Sequence, residues 1–248
     1  HTTPDGLKDV APPDNVRIYF LAGSQHGPSA FPPAQTLGQH EQNPNDYYWM
    51  FRALVPAMDR WVRTGATPPA SRYPRLADGT LVEIAQFRFP AIPRTAAPGA
   101  AVTGVRIENP ALSRRGAPGT PLPLLVPTVD ADGNERAGVR LPEVAVPVAT
   151  YTGWNLRRPD IGSPDRLVPL MGAWIPFAPT ADVARTTGDP RPSLAQRYAS
   201  RADFLAQVRR SAEAVAHEGF LLAKDADAVV EQAALRWDRV VGTVRAGQ

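Results

Sequence analysis

The strongest early pattern is a near-continuous apolar run, Val16-Arg17-Ile18-Tyr19-Phe20-Leu21-Ala22. Such a run predicts a strand covered on both faces. Residues 1–15 read as loop and residues 23–45 as a second loop rich in Gly, Pro, Gln and Asn. A helix pattern follows: Trp49, Met50, Leu54, Met58, Trp61 and Val62 recur at spacings of three and four, which makes one apolar stripe. Asp46 is placed to cap its start and Gly65 to end it, while Pro56 should kink or split it. From 66 to 182 prolines interrupt short β-like pieces. The clearest is a hairpin of Leu124–Val129 with Ala137–Val148 about the turn Asp130-Ala131-Asp132-Gly133-Asn134. From 183 the pattern is helical again. Ser200 and Asp203 open one helix with a capping-box spacing; its inward face is Phe204, Leu205, Val208, Ala212 and Val215, and Gly219 closes it. A last helix is expected from about Asp225 to Val241, with Val229, Val230, Ala233, Trp237 and Val240 inward. The chain thus divides at about 1–65, 66–182 and 183–248.

Composition narrows the class. The 248 residues are 43% apolar and 21% charged, values of a globular protein with a sizeable core. Prolines number 28 and glycines 19, so much of the backbone must be turn or irregular. The net charge of +3 is carried almost wholly by arginine, in scattered pairs such as Arg114-Arg115, Arg157-Arg158 and Arg209-Arg210. That is not the basic stripe with interleaved aromatics of a nucleic-acid binder, so no nucleic-acid partner is expected. The absence of cysteine removes disulfides, thiolate catalysis and Cys-based zinc sites. No apolar stretch approaches the roughly 20 residues of a membrane span. No signal-peptide pattern is visible, and the first residue is His rather than Met. These features fit a cytoplasmic or an exported protein equally, and the compartment and oligomeric state stay open.

The candidate chemistry centres on His26, in Gly23-Ser24-Gln25-His26-Gly27-Pro28. Acyl transfer at neutral pH needs a base with an imidazole's pKa. The C-terminal end of a buried strand, where a sheet opens to solvent, is where such a base is presented. The glycines on either side let the loop turn sharply. The plainer alternative is a loop histidine that only hydrogen-bonds backbone. His40, in a polar loop, and His217, near a helix C-terminus, read as structural or exposed. No pair of histidines has metal-ligand spacing, so no metal site is expected. Asp130-Ala131-Asp132-Gly133-Asn134 opens like a calcium loop, but the twelfth position is Leu141, which leaves a hairpin turn. There is no G-x-S-x-G elbow and no Gly-rich phosphate loop, and no cofactor is expected. Tyr151, Trp154 and Asn155, in Tyr151-Thr152-Gly153-Trp154-Asn155, are candidate substrate-pocket residues, with ordinary packing as the competing reading.

Several stretches in order along nearly the whole chain carry a family resemblance. They are Asn15–Tyr19 through Gln25–Pro28, Asn43–Tyr47, Asp59–Val62 with Ser71–Pro74, and Val129–Asn134. Leu141–Pro147 through Tyr151–Asn155 and Gly188–Ser193 complete the set. On these residues the chain resembles the C-terminal portion of a bacterial family of α/β-hydrolase-domain serine hydrolases. It departs from that pattern at Pro56 and at Tyr48-Trp49, where Arg-Pro is expected. The resemblance implies an α/β fold: the end of a hydrolase sheet, its last strand and helix, over 1–65, a Pro-rich β and irregular extension over 66–182, and a helical segment over 183–248. It implies a triad in the order nucleophile, acid, histidine, with His26 as the base and the serine elbow and acid expected upstream of residue 1. A small-molecule ester, rather than an amide, is the substrate so implied, and the isolated chain is expected to be inactive. The competing class is a non-catalytic binding or structural module of the same ancestry.

Overall fold

In the computed structural model, which describes residues 1–98, 106–107, 120–121 and 123–245, the run at 16–22 is extended but is not a regular strand. It lies parallel to two distant segments, paired through Tyr19 with Arg72 and through Leu21 with Val139. The Phe20 and Ala22 amides donate to the Arg72 and Val139 carbonyls at 2.8 and 3.2 Å. Pro74 and Pro142 lie just beyond those partners and bring no N–H, so neither pairing extends far. The expectation of burial on both faces is corrected as well: Val16 is exposed and residues 17–21 are only partly buried. Arg17, whose guanidinium donates to the Asp14 and Val16 carbonyls, keeps that end of the run at the surface.

The fold mixes helices with short strands. The strands are β1 Glu41–Gln42, β2 Leu81–Glu83, β3 Arg106–Ile107, β4 Thr120–Pro121, β5 Leu125–Pro127, β6 Ala149–Thr152 and β7 Ala173–Pro176. Among the described residues they form three small antiparallel sheets, β1-β7-β6, β2-β5 and β3-β4. The first is covered on both sides, as the period of two dictates. Tyr151 and Trp174, paired across β6 and β7, enter the main core, while Ala173 and Ile175 face Ile92 and Phe89. The expected hairpin is half right. The turn is there, with Asp130 N–H donating to the Asn134 carbonyl at 2.8 Å and Val129 paired with Glu135. Asp130 Oδ1 accepts from the amides of Asp132 and Asn134, which fixes the turn by side chain. Its sheet partner is wrong: β5 pairs β2, because Pro142 and Pro147 divert 137–148 into a short helix, α2 Pro142–Ala145 in the numbering below.

The helices are α1 Tyr48–Thr64, α2 Pro142–Ala145, α3 Ala181–Thr187, α4 Leu194–Arg197, α5 Arg201–His217 and α6 Ala226–Arg245. α1 is one helix across Pro56, which faces solvent, where the Arg52 carbonyl that loses its partner can be hydrated. Asp46 precedes the cap residue Tyr47 and accepts from the Tyr48 amide at 3.1 Å, and Gly65 ends the helix at φ 76°. The buried face is Met50, Ala53 and Ala57, with Trp49 and Leu54 packed beside them. Met58 and Val62, expected inward, are 58% and 75% exposed. With Tyr48, Phe51 and Val55 they form an outer apolar stripe at alternating spacings of three and four. α5 and α6 pack as a pair. Ser200 accepts from the Asp203 amide at 3.1 Å, Phe204, Val208, Ala212 and Val215 are buried, and Gly219 follows at φ 84°. Val229, Ala233 and Val240 face them from α6. The main apolar cluster draws on all three sequence regions, through Ala22 and Met50, Val139 and Trp174, and Phe204 and Val229. Among the described residues no helix is long and apolar enough to cross a membrane.

Candidate active site

The extended segment at 18–22 runs straight into the loop that carries His26. Gly23 turns the chain at φ 62°, where a Cβ would meet Val144 Cγ2 at 2.9 Å, so glycine is required on both counts. Two buried asparagines then clamp the loop. Asn43 Nδ2 donates to the carbonyls of Gly23 and Thr152 at 2.8 and 2.9 Å. Asn45 Nδ2 donates to Ala22 and Gly23 at 3.1 and 2.9 Å, and its own amide donates to Asn43 Oδ1 at 2.8 Å. The buried Gln25 Oε1 accepts from Gly172 N at 2.7 Å and from Asn43 N at 3.3 Å. The Tyr47 hydroxyl donates to the His26 carbonyl. The backbone of residues 22–27 is therefore held from several sides, and the His26 side chain projects exposed from it. Ser24 is absorbed into the clamp: its hydroxyl accepts from Asn45 Nδ2 at 3.3 Å.

The other predicted residues separate. Tyr151 and Trp154 line a partly open apolar cavity of about 170 Å³ between the β2–β5 sheet and the end of β6. Trp154 meets Phe89 edge-on at 5.3 Å. The Tyr151 hydroxyl is turned into the core; burial pushes it up to about 12, against the pull of Arg236. Asn155 does not reach the cavity. Its Nδ2 donates to His40 and Gly172 carbonyls at 3.0 and 3.2 Å, and its Oδ1 accepts from His40 N at 3.3 Å. It is a structural cross-brace. His40 is likewise committed, its Nε2 3.0 Å from Thr95 Oγ1, and burial beside Arg191 and Arg94 lowers it to about 4, so it is neutral at physiological pH. The carboxylates of the 130–134 turn are engaged too, Asp130 by Arg140 and Asp132 by Arg197.

Sequence reasoning passed over Glu135. It leaves the 130–134 turn and enters the cavity wall, where its Oε2 accepts the Gly23 amide at 2.6 Å. Burial pushes this carboxyl from 4.5 up to about 7, and only the Gly23 amide pulls it back. A raised acid is stabilising while protonated and loses that advantage as pH rises. Glu135→Gln, which keeps an acceptor for Gly23, should match the parent below pH 4.5 and exceed it by roughly 2–3 kcal/mol above pH 7. Urea melts of both proteins at pH 4 and pH 8 check this; equal stability at both pH values would place the carboxyl in water. Gly153 joins cavity and loop, since a Cβ there would lie 2.9 Å from the Ser24 carbonyl.

A family model described as alpha/beta hydrolase domain matches residues 4–231. The chain belongs to that family, and a hydrolase-type function goes with membership. No curated protein and no solved structure matches it.

Proposed function

We propose that this chain supplies the general-base histidine of a bacterial serine hydrolase that acts on carboxylic esters rather than amides. The observation that carries the reading is the presentation of His26 in a member of a hydrolase family. It stands exposed on a turn at the end of a parallel-paired segment, on a backbone clamped by Asn43, Asn45 and Gln25. A serine and an acid are expected from sequence preceding residue 1. His26 would take the serine's proton during attack and return it to the leaving alcohol, while the acid holds the imidazole's tautomer. The outer stripe of α1, Tyr48, Phe51, Val55, Met58 and Val62, supports the reading, because a helix with two apolar faces needs a second packing partner. Residues 1–65 are then the end of the hydrolase core, and Tyr151 and Trp154 form part of the substrate pocket.

The alternative, a binding module without catalysis, is favoured by one observation: the cavity beside Trp154 is lined without any contribution from His26. A fluorophosphonate probe separates the two. The protein together with its preceding sequence should be labelled at a serine upstream of residue 1, and the isolated 1–248 chain should not react. A longer protein that stays unlabelled would favour the binding module. Stoichiometric labelling of 1–248 itself would place the nucleophile inside it, with Ser24 the first position to examine.

A further inference from the structure

We propose that the cavity between β2–β5 and β6 binds a small ligand with one ring-sized apolar group and an adjoining hydroxyl or amine, whose polar hydrogen goes to Glu135. The size comes first. At about 170 Å³ the space is close in size to cavities of about 150 Å³ that admit benzene. The walls are apolar, chiefly Ile84, Phe87, Leu124, Val126, Val129 and Trp154. They come from three separately braced pieces: the β2–β5 sheet, the 129–135 turn and the end of β6. Such a cavity is preformed rather than assembled by its occupant.

The polar end is equally specific. Thr152 also lines the cavity, but its hydroxyl already donates to the Trp154 carbonyl and accepts the Ala173 amide. Glu135 uses one lone pair on Gly23, and a carboxylate offers about four. No cationic side chain takes part in setting its protonation. A carboxylate among apolar walls is unfavourable until a donor reaches it. A ligand ammonium supplies the missing countercharge, and a ligand hydroxyl serves either protonation state. Since the same carboxylate anchors Gly23, three residues before His26, an occupant also bears on the histidine loop.

This assignment rests on the proposed pocket role of Tyr151 and Trp154, and not on hydrolysis. Direct binding therefore tests it apart from turnover. The probes are benzylamine, benzyl alcohol and toluene, titrated by calorimetry and by amide NMR. Both polar probes should bind and shift the Gly23 amide signal, and benzylamine should bind about tenfold or more tightly than toluene. In Glu135→Gln that preference should fall by about the same factor. Val126→Trp should fill the space and remove all binding. Where it does not fold, the toluene comparison and the Glu135→Gln titration decide. No binding by either polar probe, or a benzylamine preference untouched in Glu135→Gln, would overturn the proposal. Either result would leave the fluorophosphonate test of the hydrolase reading standing.

Discussion

His26→Ala is expected to lower ester turnover by about 10³-fold or more, the loss that follows removal of a triad base, the role proposed for it. The measurement is hydrolysis of a chromogenic ester by the protein with its preceding sequence. The fold should not change. His26 is exposed, and the bond that ties it to its surroundings, from the Tyr47 hydroxyl, lands on its backbone carbonyl. Its melting temperature should therefore stay at the parent value. Asn45→Ala is the instructive control, because it removes donors to the Ala22 and Gly23 carbonyls from a buried position. It should lower both stability and rate, since the loop backbone it releases is what aims the imidazole. Loss of rate without loss of stability is thus the signature of a reacting group. Unchanged turnover in His26→Ala would remove this histidine from the mechanism.

What could be read from the sequence follows how local each feature's causes are. α5 was legible throughout, because its cap, apolar face and stop lie within one stretch from Ser200 to Gly219. The 130–134 turn was legible for the same reason: Asp130 and Gly133 make it by themselves. The segment at 18–22 was legible as extended but not as to its cover, which depends on Arg72 and Val139, far along the chain. α1 shows a different limit. Two apolar stripes overlap on one helix, and periodicity alone cannot say which packs on this chain. The site divides in the same way. A histidine between glycines after an apolar run carries its own signal. Glu135 reads as an ordinary charge at the end of a turn, and only the meeting of β2, β5 and β6 around it makes it a partly buried acid in an apolar wall. Asn155 reads as a pocket residue because a polar residue beside two aromatics resembles a pocket, while its hydrogen-bond partners, His40 and Gly172, lie elsewhere in the sequence.

Arg236→Ala should damage the fold severely. Arg236 on α6 and Glu143 on α2 are 3% and 2% exposed in their side chains, with Nη1 3.0 Å from Oε1. Deleting the guanidinium leaves a carboxylate buried without its countercharge, which costs about 3–5 kcal/mol. Against a total stability of about 5–15 kcal/mol the variant should be marginal, its melting point lower by roughly 10 °C or more. The pair itself is imperfect, since Arg236 Nε and Glu143 Oε2 are buried without hydrogen-bond partners among the described residues. Arg236→Met combined with Glu143→Leu should therefore recover most of the loss. It should not recover the function of the other arm. Nη2 donates to the Pro44 carbonyl at 2.9 Å, and Pro44 stands between the two asparagines that clamp the His26 loop. A double variant that melts near the parent temperature yet keeps a reduced rate would show that α6 steadies the loop through Pro44. Parental rate in that variant would confine Arg236 to balancing a buried charge.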